Sequence, residues 1–279
     1  MPMERYEIKD GVLDLSGSAV RTVEDKEYLS QKLLRHVILP DGIEHIGDWA
    51  FAKCVNLQSV KFVGEFRSGL FGKEVFRDCD RLSSISFADT DDDTSHLLAL
   101  CTNKLPYDHL LRSDDVGRKS WYEKWDISLM AALSVDDAAY EIAAALCGEE
   151  DISYDGIGSV DGEMPGETQD IIMNARFDKC RLCYIRLRMD RYLTDDQKRK
   201  IEKYIYDNRF GKSGAAFYSV FGVGEKAAEY LKLYLDIVKP DRAVLKEMIS
   251  SVPAGNVYER SYLIGRSNSD DVLSDLLII

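Results

Sequence analysis

No apolar run in this chain approaches the roughly 18 residues that a membrane-crossing helix requires. The opening stretch, M-P-M-E-R-Y-E-I-K-D, mixes both charges and lacks the apolar core of an export signal, so a soluble cytoplasmic protein is expected. Six cysteines at irregular spacings make no disulfide framework and read as reduced thiols. Histidine is scarce: His36, His45, His96 and His109 stand apart from one another, and none lies in a nucleophile or metal motif. Positive charge is also short, with 36 Lys+Arg against 49 Asp+Glu and a net charge of −13. That balance disfavours general affinity for nucleic acid, because phosphate binding draws on Lys and Arg.

The charge is unevenly placed. Residues 89–168 hold 5 Lys+Arg against 19 Asp+Glu, whereas residues 169–212 hold 12 against 7. The basic 176–212 segment therefore keeps open a weak nucleic-acid or acidic-partner binder, although the run Lys198, Arg199, Lys200 and Lys203 suits a solvated helix face equally well. With 45% hydrophobic residues, 10 Phe, 15 Tyr and 3 Trp, the chain is not disordered, and its 279 residues suffice for two domains or one extended array.

What the chain does contain is a repeat. Phe51-x-x-Cys54-x-x-Leu57-x-x-Val60 aligns with Phe76-x-x-Cys79-x-x-Leu82-x-x-Ile85, and a weaker copy, Tyr28-x-x-Gln31-x-x-Leu34-x-x-Val37, precedes them. Each is followed by an alternating pair (Val37 and Leu39, Val60 and Phe62, Ile85 and Phe87) with the period of two of a strand buried on one face. Self-similarity at about 20 to 50 residues marks stacked supersecondary units. Gly47 and Gly72, at equivalent positions, suit a tight turn or a close backbone approach.

The best copy, V-I-L-P-D-G-I-E-H-I-G-D-W-A-F-A-K-C-V-N-L from Val37 to Leu57, resembles the BspA-like, or Treponema-type, leucine-rich repeat. The resemblance covers residues 28–88 and implies one strand, a turn and a short return per unit, stacked into a curved solenoid that binds another protein. The copy beginning at Val60 departs from the pattern, with Val63 where Pro40 stands and two extra residues before Gly72. Surface adhesion is a further role the resemblance raises, and the missing export signal argues against it. The outward strand residues, His36, Ile38, Ser59, Lys61, Ser84 and Ser86, are the candidate partner-binding set. Three strands spaced by about 4.8 Å span only roughly 10 Å, too little alone for a usual interface of about 800 Å² per side.

After about Asp93 helical spacing takes over. The expected fold class is α+β: a short leucine-rich repeat solenoid of about three parallel strands over residues 1–90, then an all-helical array or bundle over 91–279. Helices are expected near 95–104, 107–112, 120–133 and 136–148, the acidic run 89–94 favouring the first helix start. An acidic Gly-rich loop follows near 149–168. A helix over 169–192 places Ile171, Ala175, Leu182, Ile185, Met189 and Tyr192 on one face, and Thr194 with Asp195 starts another through Asn208. Residues 214–236 read as two short helices joined at Gly222 to Gly224, similar to the helix pair of ankyrin repeats, and that pattern recurs loosely to residue 268. The apolar end, D-V-L-S-D-L-L-I-I, suits docking as a cap or on a partner.

Motifs that carry chemistry are fragmentary. Asp151, Ser153, Asp155 and Gly156 match the start of a calcium-binding loop, which then fails at Gly158 and Gly162, with Glu163 one place late. Asp89, Asp91 and Asp93 repeat the spacing without the glycine. Cys180 and Cys183 form C-x-x-C inside a helix with no second pair to complete a zinc site. Gly211-Lys212-Ser213 has the end of a phosphate loop, with Tyr206 where its first glycine belongs. The expectation is a non-enzymatic scaffold that binds another protein through the combined repeat and helical surface, with no catalytic residue, cofactor, metal or membrane. The alternatives are an enzyme with its site at the junction of the two regions and the nucleic-acid binder above.

Overall fold

The computed structural model describes residues 6–103, 105, 108–137, 166–221, 223 and 226–276. These fall into two compact units: one within Met1–Val135, the other made of Asp136 and Asp137 with the described residues of Asp161–Ile279.

The first unit is a short solenoid. Strands β1 (Val12–Asp14), β3 (His36–Leu39), β5 (Ser59–Phe62) and β6 (Ser84–Ser86) form one parallel sheet in that order. A second, narrow sheet pairs β2 (Thr22–Val23) with β4 (His45–Ile46), and a bridge from Ile46 to Phe71 carries it into the next repeat. The expected strands all form, and β1 adds one before them. Leu13, Val37, Val60 and Ile85 are wholly buried, so alternation sends one face of every strand into the core.

The return segments stack as regularly as the strands. Tyr28, Phe51 and Phe76 stack face to face at 5.3 and 5.8 Å between ring centres. Beside them the Cys54 thiol donates to the Tyr28 carbonyl and the Cys79 thiol to the Phe51 carbonyl, both at 3.1 Å. Alternate N–H groups point to the next repeat: Trp49, Phe51 and Lys53 donate to the carbonyls of Lys73, Val75 and Arg77. This direction requires left-handed backbone two residues before and two after each aromatic, at Lys26 and Ser30, Trp49 and Lys53, Glu74 and Asp78.

Helix α1 (Asp92–Asn103) packs against β6 and closes that end of the solenoid. Asp91 caps it, accepting the Thr94 N–H at 2.8 Å, in agreement with the acidic start expected there. The helix expected at 107–112 is a single 3-10 turn, Asp108–Leu110. Helix α2 (Lys119–Ser134) buries Trp121, Tyr122 and Trp125, whose polar atoms are satisfied by the Leu110 carbonyl, the Thr94 hydroxyl and the Leu97 carbonyl. Beyond Asp137, the helix expected at 136–148 and the Asp151–Glu163 loop lie outside the described residues.

The second unit contains α3 (Gly166–Arg188), α4 (Asp195–Asp207), α5 (Ala215–Tyr218), α6 (Ala227–Val238), α7 (Arg242–Ser251) and α8 (Val257–Leu276). Helices α4 and α5 both pack on α3, and α8 packs on α6 and α7. The single apolar face expected of α3 is a partial description. Ala175, Leu182, Ile185 and Met189 are buried, but so are Lys179, Cys180, Cys183, Tyr184, Arg186 and Leu187, while Tyr192 is exposed. α3 is thus buried on more than one side. Arg186 is tolerated there because its guanidinium donates to the Met189 and Arg191 carbonyls of the turn that ends the helix. Residues 214–236 form one helical turn and a three-turn helix, with Gly222 and Gly224 outside the described residues.

Candidate functional site

The outward strand residues meet in two straight rows. Parallel register aligns Val12, His36, Ser59 and Ser84 across the sheet, and beside them Asp14, Ile38, Lys61 and Ser86. All six candidates named from the sequence are thus neighbours on one face. His36 Nδ1 lies 2.8 Å from Ser59 Oγ, which orients the ring along the first row. In the second row the Ser16 hydroxyl and N–H both bond Asp14 and hold its carboxyl below the usual range. The anion of Asp14 and the exposed cation of Lys61 stand two strands apart, about 10 Å, with Ile38 between them. Such a surface offers hydroxyls, one imidazole and one opposed charge pair, which suits recognition.

Sequence reasoning missed Val12 and Asp14. The alternation of Leu13 and Leu15, in phase with Val37 and Leu39, was the available sign.

Elsewhere the sequence-derived motifs resolve into structural roles. Cys180 and Cys183 are completely buried on α3, and burial pushes both thiols up. Gly211 to Ser213 form the turn after α4, where Ser213 Oγ donates to Asn208 Oδ1 at 2.8 Å and Gly211 has φ +80°. The basic run of α4 is answered on its own helix, with Lys200 2.7 Å from Asp196 and Lys203 2.5 Å from Asp207. Further back, Lys179 and Arg186 point inward and Arg188 pairs with Glu229 at 2.9 Å. Much of the local positive charge is therefore turned inward or paired, which weakens any field for a phosphate chain. Asp89 accepts the Phe66 N–H and Asp91 the Thr94 N–H, and no group of three metal-ligating side chains occurs among the described residues.

One polar cluster was invisible beforehand. Ser113 Oγ donates to Asp115, and Lys124 Nζ lies 2.9 Å from both. Burial alone would raise the Asp115 pKa, but hydrogen bonds from Ser113, Ser120 and Lys124, with the Lys124 charge, pull it to about 2. The Ser113 hydroxyl and the Lys124 side chain both engage the Asp115 carboxylate, so the three groups are closed on one another. It fastens the turn before α2.

Residues 15–103 match the family of BspA type leucine rich repeat regions, in six copies. That match begins just after β1 and runs through α1, so α1 lies within the repeat segment as well as against its last strand. No curated protein and no solved structure matches the chain. Among the described residues, no helix is long and apolar enough to cross a membrane.

Proposed function

We propose that this protein is a non-enzymatic interaction module that grips another protein with the strand face of its repeat segment. The observation that carries the reading is the register, which sets His36, Ser59 and Ser84 in one row and Ile38, Lys61 and Ser86 in the next. Matching spacing of hydroxyl, imidazole, apolar and charged groups across parallel strands gives a partner a fixed template. Repeats of this type generally serve protein binding, which supports the same conclusion. Four strands span only about 14 Å, so the face needs help to reach a typical 800 Å². The helical unit, taken by itself, exposes Val257, Tyr258 and Ile264 on α8.

The test is affinity capture from native extract with the wild-type chain, Ser59→Arg and Lys61→Glu, after tryptophan emission has shown that the solenoid is intact. A protein recovered by wild type and reduced at least tenfold with both variants is expected. Equal recovery by all three chains would remove the strand face from the interface.

A further inference from the structure

Asp136 and Asp137 follow α2 closely in the chain, yet they group with the helical unit. The Asp137 carboxylate gives one oxygen to each of two cations on α3: Oδ2 to Arg176 Nε at 2.5 Å, and Oδ1 to Lys179 Nζ at 2.9 Å. Arg176 and Lys179 are three residues apart, hence on one helix face. The Lys179 side chain is fully excluded from solvent, Asp137 keeps 17% of its exposure and Arg176 34%. An ammonium so placed needs anionic contact, and removing one partner of a buried pair is far more damaging than replacing both by apolar groups. Next along α3 come Cys180 and Cys183, both at zero exposure. Cys180 responds to the same charges: burial raises its pKa, Asp137 raises it further, and Arg176 and Lys179 oppose.

We propose that Asp137 is an electrostatic clasp, supplied from well upstream of Gly166, that holds α3 closed and keeps the Cys180 and Cys183 thiols shut away from reagents. Opening the clasp exposes those two thiols without unfolding the solenoid. This device is independent of the partner-binding reading, since it lies wholly within the helical unit.

The experiment compares full-length wild type, Asp137→Asn and Asp137→Asn with Lys179→Met. N-ethylmaleimide modification is followed peptide by peptide, with buried Cys54 and Cys79 of the solenoid as internal references. Asp137→Asn is expected to speed modification of Cys180 and Cys183 at least tenfold and to leave Cys54 and Cys79 at wild-type rates. The double variant, lacking the buried cation too, should return both to near wild-type protection. Unchanged rates in Asp137→Asn, an equal rise at all four cysteines, or a double variant as reactive as the single one would each overturn the clasp. Should Asp137→Asn fail to fold, the double variant decides: a folded, protected chain supports the clasp, and a second failure to fold overturns it.

Discussion

A methyl group on Gly47 would sit 2.5 Å from the Asp25 backbone nitrogen, and one on Gly72 would meet first the Asp48 carboxylate oxygen at 2.5 Å and then its nitrogen at 2.9 Å. These glycines let the Asp of the preceding repeat reach across: Asp25 Oδ1 accepts the Asp48 N–H and Asp48 Oδ1 the Lys73 N–H, each at 2.7 Å. Because backbone yields less readily than a side chain, Gly47→Ala should cost more than Gly72→Ala, about 2–4 kcal/mol against about 1–3. Gly42→Ala is the control, having nothing within 4 Å of the added carbon. Urea denaturation followed by tryptophan emission ranks the three. Lys53 poses the converse problem, since φ +59° strains any side chain and a branched one most. Lys53→Val should destabilise by about 1–2 kcal/mol and Lys53→Gly should be within about 0.5 kcal/mol of wild type, relief of strain offsetting the added freedom of the unfolded chain. Asp115 gives a pH signature. Its folded pKa, about 2, lies below the ordinary 3.8, so its stabilisation is present above the unfolded value and fades as pH falls through about 2. Lys124 is 46% exposed, which screens the pair; Asp115→Asn should therefore cost about 1–2 kcal/mol at pH 7 and almost nothing near pH 2.

Within the solenoid the aromatic ladder of Tyr28, Phe51 and Phe76 links three repeats. Phe51 is wholly buried and stacked between Tyr28 and Phe76, whereas Tyr28 keeps 5% of its exposure. Phe51→Ala is expected to lose about 3–5 kcal/mol, and Tyr28→Ala less, by the same denaturation measurement. That ladder, the Cys54 and Cys79 positions beside it and the strand face were legible in the sequence, because a repeat places identical demands on identical positions and so shows itself by comparison within one chain. β1 escaped notice for the complementary reason: Leu13 and Leu15 are in phase with the later strands, but residues 1–12 do not carry the aromatic-x-x-Cys-x-x-Leu spacing that marks the later repeats. The left-handed positions were hidden because only glycine advertises positive φ, and here Lys, Trp, Glu, Ser and Asp adopt it under lateral hydrogen bonding from the neighbouring repeat. On α3, Lys179 and Arg186 of the basic 176–212 segment are interior, since burial depends on which helices pack against it. The Ser113, Asp115 and Lys124 cluster joins a loop to a helix and has no linear pattern. By contrast, the Thr194 start of α4 was legible, and the reciprocal bonds between Thr194 and Gln197 form the capping box such a start permits.

At the scale of the molecule, the two units carry different probes. Trp49, Trp121 and Trp125 all lie within Met1–Val135, and no tryptophan occurs after them, whereas Cys180 and Cys183 lie in the helical unit. Stacked repeats derive their stability from contacts with their neighbours, so a cavity at Phe51 weakens the repeats on either side and, through them, the solenoid as a whole. Helix α1 extends that dependence, because it packs on β6, and the buried indoles of α2 bond its Leu97 carbonyl and the Leu110 carbonyl of the following turn. Tryptophan emission therefore reports on the entire first unit. If the units fold as separate bodies, Phe51→Ala should lower the urea midpoint seen by tryptophan emission and leave the urea dependence of Cys180 and Cys183 protection in place. Ile201→Ala, which empties a fully buried position on α4, should do the reverse. Emission and thiol protection moving together in both variants would show instead that the units unfold as one cooperative body. In that event a partner engaging the strand face would stabilise the helical unit too, by the same mass-action amount.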